Sequence, residues 1–280
     1  MSTFATSRPI SLDLRVNVGV VRITAGTRAE TVVELAPTDA SKKADRVAAQ
    51  RTRVEFNEDE LVIHAPRKLY GDAGSIQLSI ELPAGSRLAG RSAMGDLHCV
   101  GELGDCEFKT GYGRIELDRV GHATLGSGYG DITVGRATGE AAIHAASGAV
   151  RVGRVDGCLT LRNSNGPSRV DEVTGAVRAT SANGDIVIGL AHEGVTAHSA
   201  NGNIRVGDAS RGLLDLKTAA GDVEVGIGKG ATAWLDVRTR SRVGSVRNDI
   251  GAAETHARST AGVAVHAVTG SGDVVVHPAA

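Results

Sequence analysis

Residues 178–206 read RATSANGDIVIGLAHEGVTAHSANGNIRV. One unit occurs twice in this stretch: Ser181-Ala182-Asn183-Gly184-Asp185-Ile186-Val187-Ile188, then Ser199-Ala200-Asn201-Gly202-Asn203-Ile204-Arg205-Val206. The shift is 18 residues. The central glycine recurs at 95, 113, 130, 148, 166, 184, 202 and 221, with two wider-spaced copies at 244 and 272. A period this regular marks a repeat architecture.

Aligned on that glycine, the copies form columns. Two residues after it stand Leu97, Ile115, Ile132, Val150, Ile186, Ile204, Val223, Val246 and Val274. Two further on come Cys99, Leu117, Val134, Val152, Val170, Ile188, Val206 and Val225, with a mostly polar residue between. This is a short strand with one apolar face. Five residues before the glycine, Phe108, Leu125, Ile143, Leu161, Ala179, Ala197 and Leu216 mark a second strand. A unit of two short strands is too small for a propeller blade and lacks the leucine pattern of leucine-rich repeats. It can bury its inner face only by stacking on its neighbours. The expected fold is therefore all-β: a β-solenoid, or parallel β-helix, of 18-residue coils.

Small polar residues fill the turn columns. Three residues before the glycine stand Ser92, Thr110, Ser127, Asn163, Ser181, Ser199, Thr218, Ser241 and Thr269; Ala145 departs from the pattern. Asn165, Asn183 and Asn201 directly precede it in three successive coils. Such side chains can bond to their counterparts in the next coil and to the turn backbone. One coil is irregular: Gly166-Pro167-Ser168 brings a residue without an N–H and a hydroxyl at an inward position.

Residues 1–90 read as an N-terminal β-rich segment that caps or continues the solenoid, and 91–280 as the repeats, in one continuous unit. Alternation over 10–23, 31–35, 52–56, 60–65 and 75–82 predicts strands. Residues 38–50 predict the one short helix, with Thr38, Asp39 or Ser41 at its start and Ala40, Ala44, Val47 and Ala48 as an apolar stripe. Residues 67–74 predict an exposed loop, and the stretch 252–260 an insertion in the last coils.

Composition agrees with a thin core: 37 glycines, and three Phe, three Tyr and one Trp in 280 residues. A net charge of −1 gives no general reason for a nucleic-acid partner. Cys99, Cys106 and Cys158 form no CxxC pair, so neither a disulfide framework nor a zinc site is expected. Cys99 and Cys158 are expected as buried reduced thiols. The N-terminus alternates instead of opening on a continuous apolar run, and no stretch reaches the length of a membrane helix. These features predict a cytoplasmic chain, with cell-surface association by another route left open.

Asp96, Asp131, Asp185, Asp222 and Asp273 follow the glycine, but no two are expected in adjacent coils, so they read as turn residues and not as metal ligands or an acid–base pair. His144 and His198 share a column three coils apart. No catalytic, cofactor-binding or metal residues emerge. Arginine supplies the one surface feature: Arg151, Arg169 and Arg205 in one outward column, and Arg119, Arg136 and Arg154 near the strand ends. These six could meet a polyanion or another partner, or form a solvated mixed-charge face with Glu116, Glu172 and Glu224.

The Pro83-Ala84-Gly85-Ser86 turn, the Ser-x-Asn-Gly-Asp-Ile-x-Ile unit and the stretch at 233–250 resemble a bacterial family. That family is the β-strand-repeat domain of unknown function labelled "putative adhesin". The resemblance covers nearly the whole chain. It implies a β-solenoid, no catalytic residues and no cofactor. Three roles compete: a non-enzymatic scaffold for a protein or cell-envelope partner; a structural element that self-associates end to end; and a carbohydrate-active enzyme. The last would need long loops over clustered carboxylates, which the coils from 95 to 221 do not supply.

Overall fold

A computed structural model describes residues 1–65, 74–229, 231–240, 244–250 and 262–279. The chain divides into two compact units, Met1–Thr138 and Gly139–Ala280. In both, alternate residues point into an apolar interior and the backbone pairs in parallel with the coil on either side. The protein is a β-solenoid.

The first unit contains β1 (Ser2–Ala5), β2 (Ser11–Gly26), β3 (Glu30–Pro37), α1 (Lys43–Arg51), β4 (Arg53–Asn57), β5 (Glu60–His64) and β6 (Ile76–Pro83). It continues with β7 (Arg87–Glu102), β8 (Cys106–Tyr112), β9 (Ile115–Val120), β10 (Ala123–Tyr129) and β11 (Ile132–Ala137). Strand β2 forms a whole coil, and Gly19 does not interrupt it. On one side it pairs in parallel with β7, from Ser11↔Arg87 to Ala25↔Gly101. On the other it pairs with β5 and β6, through Leu12↔Leu61 and Val21↔Leu78. So the first coil of the chain lies between two coils that are made later.

The free edge of β5 and β6 is covered by antiparallel strands. β4 lies on β5, β3 on β6, and β1 on β3. Antiparallel cover removes a parallel edge that another chain could extend. Between β4 and β5, Glu58 and Asp59 both take positive φ (44° and 72°) in a two-residue hairpin turn.

Helix α1 begins later than residue 38. Asp39 instead closes a local turn, accepting from the N–H and hydroxyl of Ser41. The expected stripe of Ala44, Val47 and Ala48 is only half-buried, and Asp45 is the buried residue of the helix. Its carboxylate accepts the backbone N–H groups of Asp39 and Ser75 at 3.1 and 2.9 Å. That ties the helix to both flanking segments. The loop expected at 67–74 lies, apart from Gly74, outside the described residues, as does the insertion at 252–260.

The second unit contains β12 (Ala141–Ser147), β13 (Val150–Val155), β14 (Leu159–Asn165), β15 (Ser168–Val173), β16 (Val177–Asn183), β17 (Ile186–Ala191), β18 (Val195–Asn201) and β19 (Ile204–Ala209). Then follow β20 (Gly212–Ala220), β21 (Val223–Ile227), β22 (Ala233–Thr239), β23 (Val246–Asn248), β24 (Val263–Ser271) and β25 (Val274–Pro278). Coils stack in chain order as far as β20 and β21, in register such as Ile186↔Ile204, with one irregularity between Val206 and Ala209 where β19 meets β21. The next layer is β24 and β25, not β22 and β23: Leu214 pairs with Val265, and Val223 with Val274. Strands β22 and β23 lie beyond it, through Leu235↔Val265 and Val246↔Val274. The last coil of the chain is thus threaded inside the one made before it.

The interior holds Val, Ile, Leu and Ala, with Phe108 the one fully buried aromatic ring among the described residues. Phe108 lies over Gly90, where a Cβ would come within 3.0 Å of the ring. Each buried Val, Leu or Ile contributes about 1.5–3 kcal/mol. Cys99 and Cys106 are buried, and burial pushes the Cys99 thiol up to about 12. Cys158 is exposed, contrary to the expectation. It stands one residue before the inward Leu159, so strand alternation turns it outward.

Candidate functional site

Three side-chain ladders bind coil to coil along parts of the turn. Hydroxyls in the column three before the glycine donate to the glycine carbonyl of the neighbouring coil: Thr218 to Gly202 and Thr269 to Gly221, both at 2.8 Å. Thr239 does this for Gly272 at 3.2 Å, while Ser241 lies outside the described residues. The buried hydroxyl oxygens of Ser92 and Ser181 have no partner among the described residues. Asparagines form the second ladder. Asn201 donates to Asn183 at 3.0 Å, Asn183 to Asn165 at 2.9 Å, and Asn165 to the carbonyl of Ala146 at 3.2 Å.

The aspartate column is the third ladder. Asp185 accepts the N–H of Asn203, Asn203 that of Asp222, and Asp222 that of Asp273, each at 2.8 Å. Asp273 accepts the N–H of Ser245 at 2.7 Å. Threading of β24 makes Asp222 and Asp273 neighbours, so the expected separation of all these carboxylates fails at this pair. Their bonds to backbone N–H groups are those of turn residues. Among the described residues, no three His, Cys, Asp or Glu side chains are grouped to hold a metal ion.

The irregular coil is locally compensated. Asn163 donates to the carbonyls of Gly148 and Gly166, at 3.0 and 2.9 Å, and to the hydroxyl of inward Ser168 at 3.3 Å. Pro167 lacks an N–H where the column expects one, and the residue below it is Ala149, whose side chain could not accept one. Register through Ser168 is unbroken on both sides.

The arginine columns are partly neutralised. Arg119 and Arg136 are register partners in the first unit. In the second, Arg151 and Arg169 are partners, and Val187 separates Arg169 from Arg205. Arg154 bridges Asp156 at 2.6 Å and Glu172 at 2.8 Å; Arg169 meets Asp171 at 3.1 Å and Arg205 meets Glu224 at 3.3 Å. Histidines are also paired with carboxylates of other layers: His98 with Glu116, His192 with Glu172, His277 with Glu224.

A different exposed column carries no such pairing. Met94, Tyr112 and Tyr129 directly precede the turn glycine in three successive layers of the first unit. All three are more than half exposed. The tyrosine rings stack with centroids 4.9 Å apart and 7° between their planes, tracking the ~4.8 Å layer spacing. Ala93, Gly111 and Gly128, the residues directly before them, are small. This column holds the asparagine ladder in the second unit, and its aromatic half was available in the sequence by reading the same position toward the N-terminus.

Stacked parallel coils around an apolar column, with outward ladders and polar turns, define a β-solenoid of the repeat type. Residues 10–277 match the model of the Toastrack DUF4097 family, and the chain belongs to it. None of the curated proteins matches the chain. Among solved structures it is similar to a "putative adhesin" from Bacteroides fragilis, at 16% identity and a TM-score of 0.46, over 81% of this chain and 95% of that one. It is likewise similar to a "putative adhesin" from Parabacteroides merdae, at 12% identity and a TM-score of 0.46, over 80% and 95%. Among the described residues, no helix is long and apolar enough to cross a membrane.

Proposed function

We propose that this protein is a non-enzymatic, adhesin-like binding scaffold that presents its outward ladders to a protein or cell-envelope partner. The observation that carries this reading is the Met94–Tyr112–Tyr129 column. In a chain with seven aromatic residues, two of the three tyrosines are exposed and stacked in adjacent coils. A stacked pair offers rigid, amphipathic contact area at small entropic cost. The turn ladders meanwhile use the chain's recurrent Ser, Thr, Asn and Asp residues for coil-to-coil bonding, leaving the outward columns for recognition. Arg119 and Arg136 in the first unit, and Arg151, Arg154, Arg169 and Arg205 in the second, each add mixed charge to the outward face of their own unit. No nucleic acid is required by this reading.

The test is an array of envelope glycans, peptidoglycan fragments and surface proteins probed with wild type and the Tyr112→Ala/Tyr129→Ala variant. A ligand bound by wild type and lost by at least ~10-fold in the variant, with an unchanged melting temperature, supports the reading. Turnover of any ligand, or binding indifferent to both tyrosines, contradicts it. End-to-end self-association is the second reading. It is favoured by β22, which among the described residues pairs with β24 alone and exposes Trp234. A strictly monomeric mass by light scattering at high concentration would eliminate it.

A further inference from the structure

In the second unit a hollow of about 660 Å³ crosses β18, β20, β24 and β22. Its charged and titratable lining is entirely basic: His198, Lys217, Arg238, Arg240 and His266. The first unit has a hollow of about 450 Å³ with the opposite balance, lined by Asp13, Glu60, Asp105 and Glu107 against Arg87 and His122. In a chain of net charge −1, an entirely basic lining is a local arrangement and not a reflection of composition.

Threading creates the shape. Register places His198, Lys217, Val268 and Arg238 in one outward column. Val268 and Gly270 come from β24, and with Ala219 they form a floor of short side chains. Lys217 lies on one side of this floor and Arg238 on the other, two layers or roughly 10 Å apart. Arg240 completes the rim.

Two carboxylates stand behind the cations. Asp215 takes Lys217 at 2.9 Å and His198 at 3.4 Å; Asp236 takes Arg238 at 2.9 Å and His266 at 3.2 Å. Neither lines the hollow. They fix the cations in place from one flank and leave the other toward the floor. Three permanent cations against two carboxylates give a net positive charge even with both imidazoles neutral.

We propose that this hollow binds a linear polyanion bearing phosphate or sulfate groups, with Lys217 on one side and Arg238 and Arg240 on the other meeting charges about two coils apart. The inference rests on the binding-scaffold reading and names a ligand class for it, at a site separate from the tyrosine column.

The experiment titrates wild type with inorganic phosphate, a long-chain linear polyphosphate and heparin at two salt concentrations. Lys217→Gln/Arg238→Gln/Arg240→Gln and, as a control in the first unit, exposed Arg22→Gln/Arg53→Gln are titrated in parallel. Expected is binding of the chain-like anions that weakens with salt, falls at least ~10-fold in the triple variant and changes less than ~2-fold in the control. Preference for polyphosphate or heparin identifies the source of the charge. Tighter binding of inorganic phosphate, no binding of any anion, or loss equal in both variants would overturn the proposal. Melting curves separate loss of binding from loss of fold. The tyrosine variant keeps the wider reading testable if this site fails.

Discussion

The backbone N–H of Asp273 donates to the side chain of Asp222, 51 positions earlier, at 2.8 Å. The intervening segment supplies the outer layer, β22 and β23, which pairs with β24 and β25 from the far side. The N-terminal end repeats the device, with β2 held between β6 and β7. At both ends the terminal repeat is the penultimate layer. Pulling either free would expose two parallel edges at once, so each end is tied more firmly than a simple last coil.

Gly184 takes φ 145°, and a Cβ there would overlap the carbonyl oxygen of Gly166 in the adjacent coil. Gly184→Val should therefore cost about 3 kcal/mol or more, from backbone strain and overlap together. Ser199 donates to the Gly184 carbonyl through a long 3.5 Å contact, and Ser199→Ala should cost about 1 kcal/mol or less. Urea unfolding midpoints check the order, and equal shifts would refute this account of the turn.

The asparagine ladder should show coupling. Alanine at Asn183 removes one bond on each side, and alanine at Asn201 removes one of the same bonds. A double-mutant cycle on this pair should give an interaction energy of about 0.5–1 kcal/mol. Additive losses would mean that solvent replaces the exposed ladder without cost.

Restoring the common pattern to the irregular coil should stabilise it. Asn163 Oδ1 is buried without a partner among the described residues, and Ser168 occupies a position held elsewhere by Val, Ile or Leu. Asn163→Thr with Ser168→Val removes the unpaired oxygen and fills the interior, for a gain of about 1–2 kcal/mol. Either change alone should help less, because each leaves a polar partner behind. A calorimetric melting temperature reads the result.

Much of this was legible in the sequence, for identifiable reasons. The 18-residue period and strict alternation made every inward column readable, and Asn165, Asn183 and Asn201 announced their ladder by position alone. Coil order at the ends was not legible. Val263, Val265, Val274 and Val276 would fit any layer, and nothing local says that Val274 lies between Val223 and Val246. Asp45 also misled, because a carboxylate serving two backbone N–H groups breaks the rule that the apolar stripe is the buried face. The tyrosine pair was missed for a different reason: seven aromatic residues are too few to notice until register stacks two of them.

Acid should loosen the C-terminal layers first through Asp273. The N–H and hydroxyl of Ser245 hold its carboxyl below the ordinary carboxylate range. A carboxyl lowered in the folded state contributes its stability in full above the unfolded value of about 3.9, and loses it as pH falls through the lower folded value. Asp273→Asn keeps an acceptor oxygen but cannot titrate. Its melting temperature should fall less than that of wild type on acidification through that window, and parallel curves would contradict the assignment.

The threaded order of the last coils supports both the solenoid's closure and the basic hollow, and disulfide trapping tests it most directly. In a Cys158→Ser background, Glu224→Cys/Val275→Cys and Arg247→Cys/Val275→Cys place thiols at outward register partners, within the 4.4–6.8 Å Cα separation that a disulfide spans. Glu224→Cys/Arg247→Cys places them two layers apart, at roughly 10 Å. Rapid oxidation of the first two pairs and not of the third is the predicted result. Rapid bridging between 224 and 247, with none from 224 to 275, would show coils stacked in chain order and contradict the account.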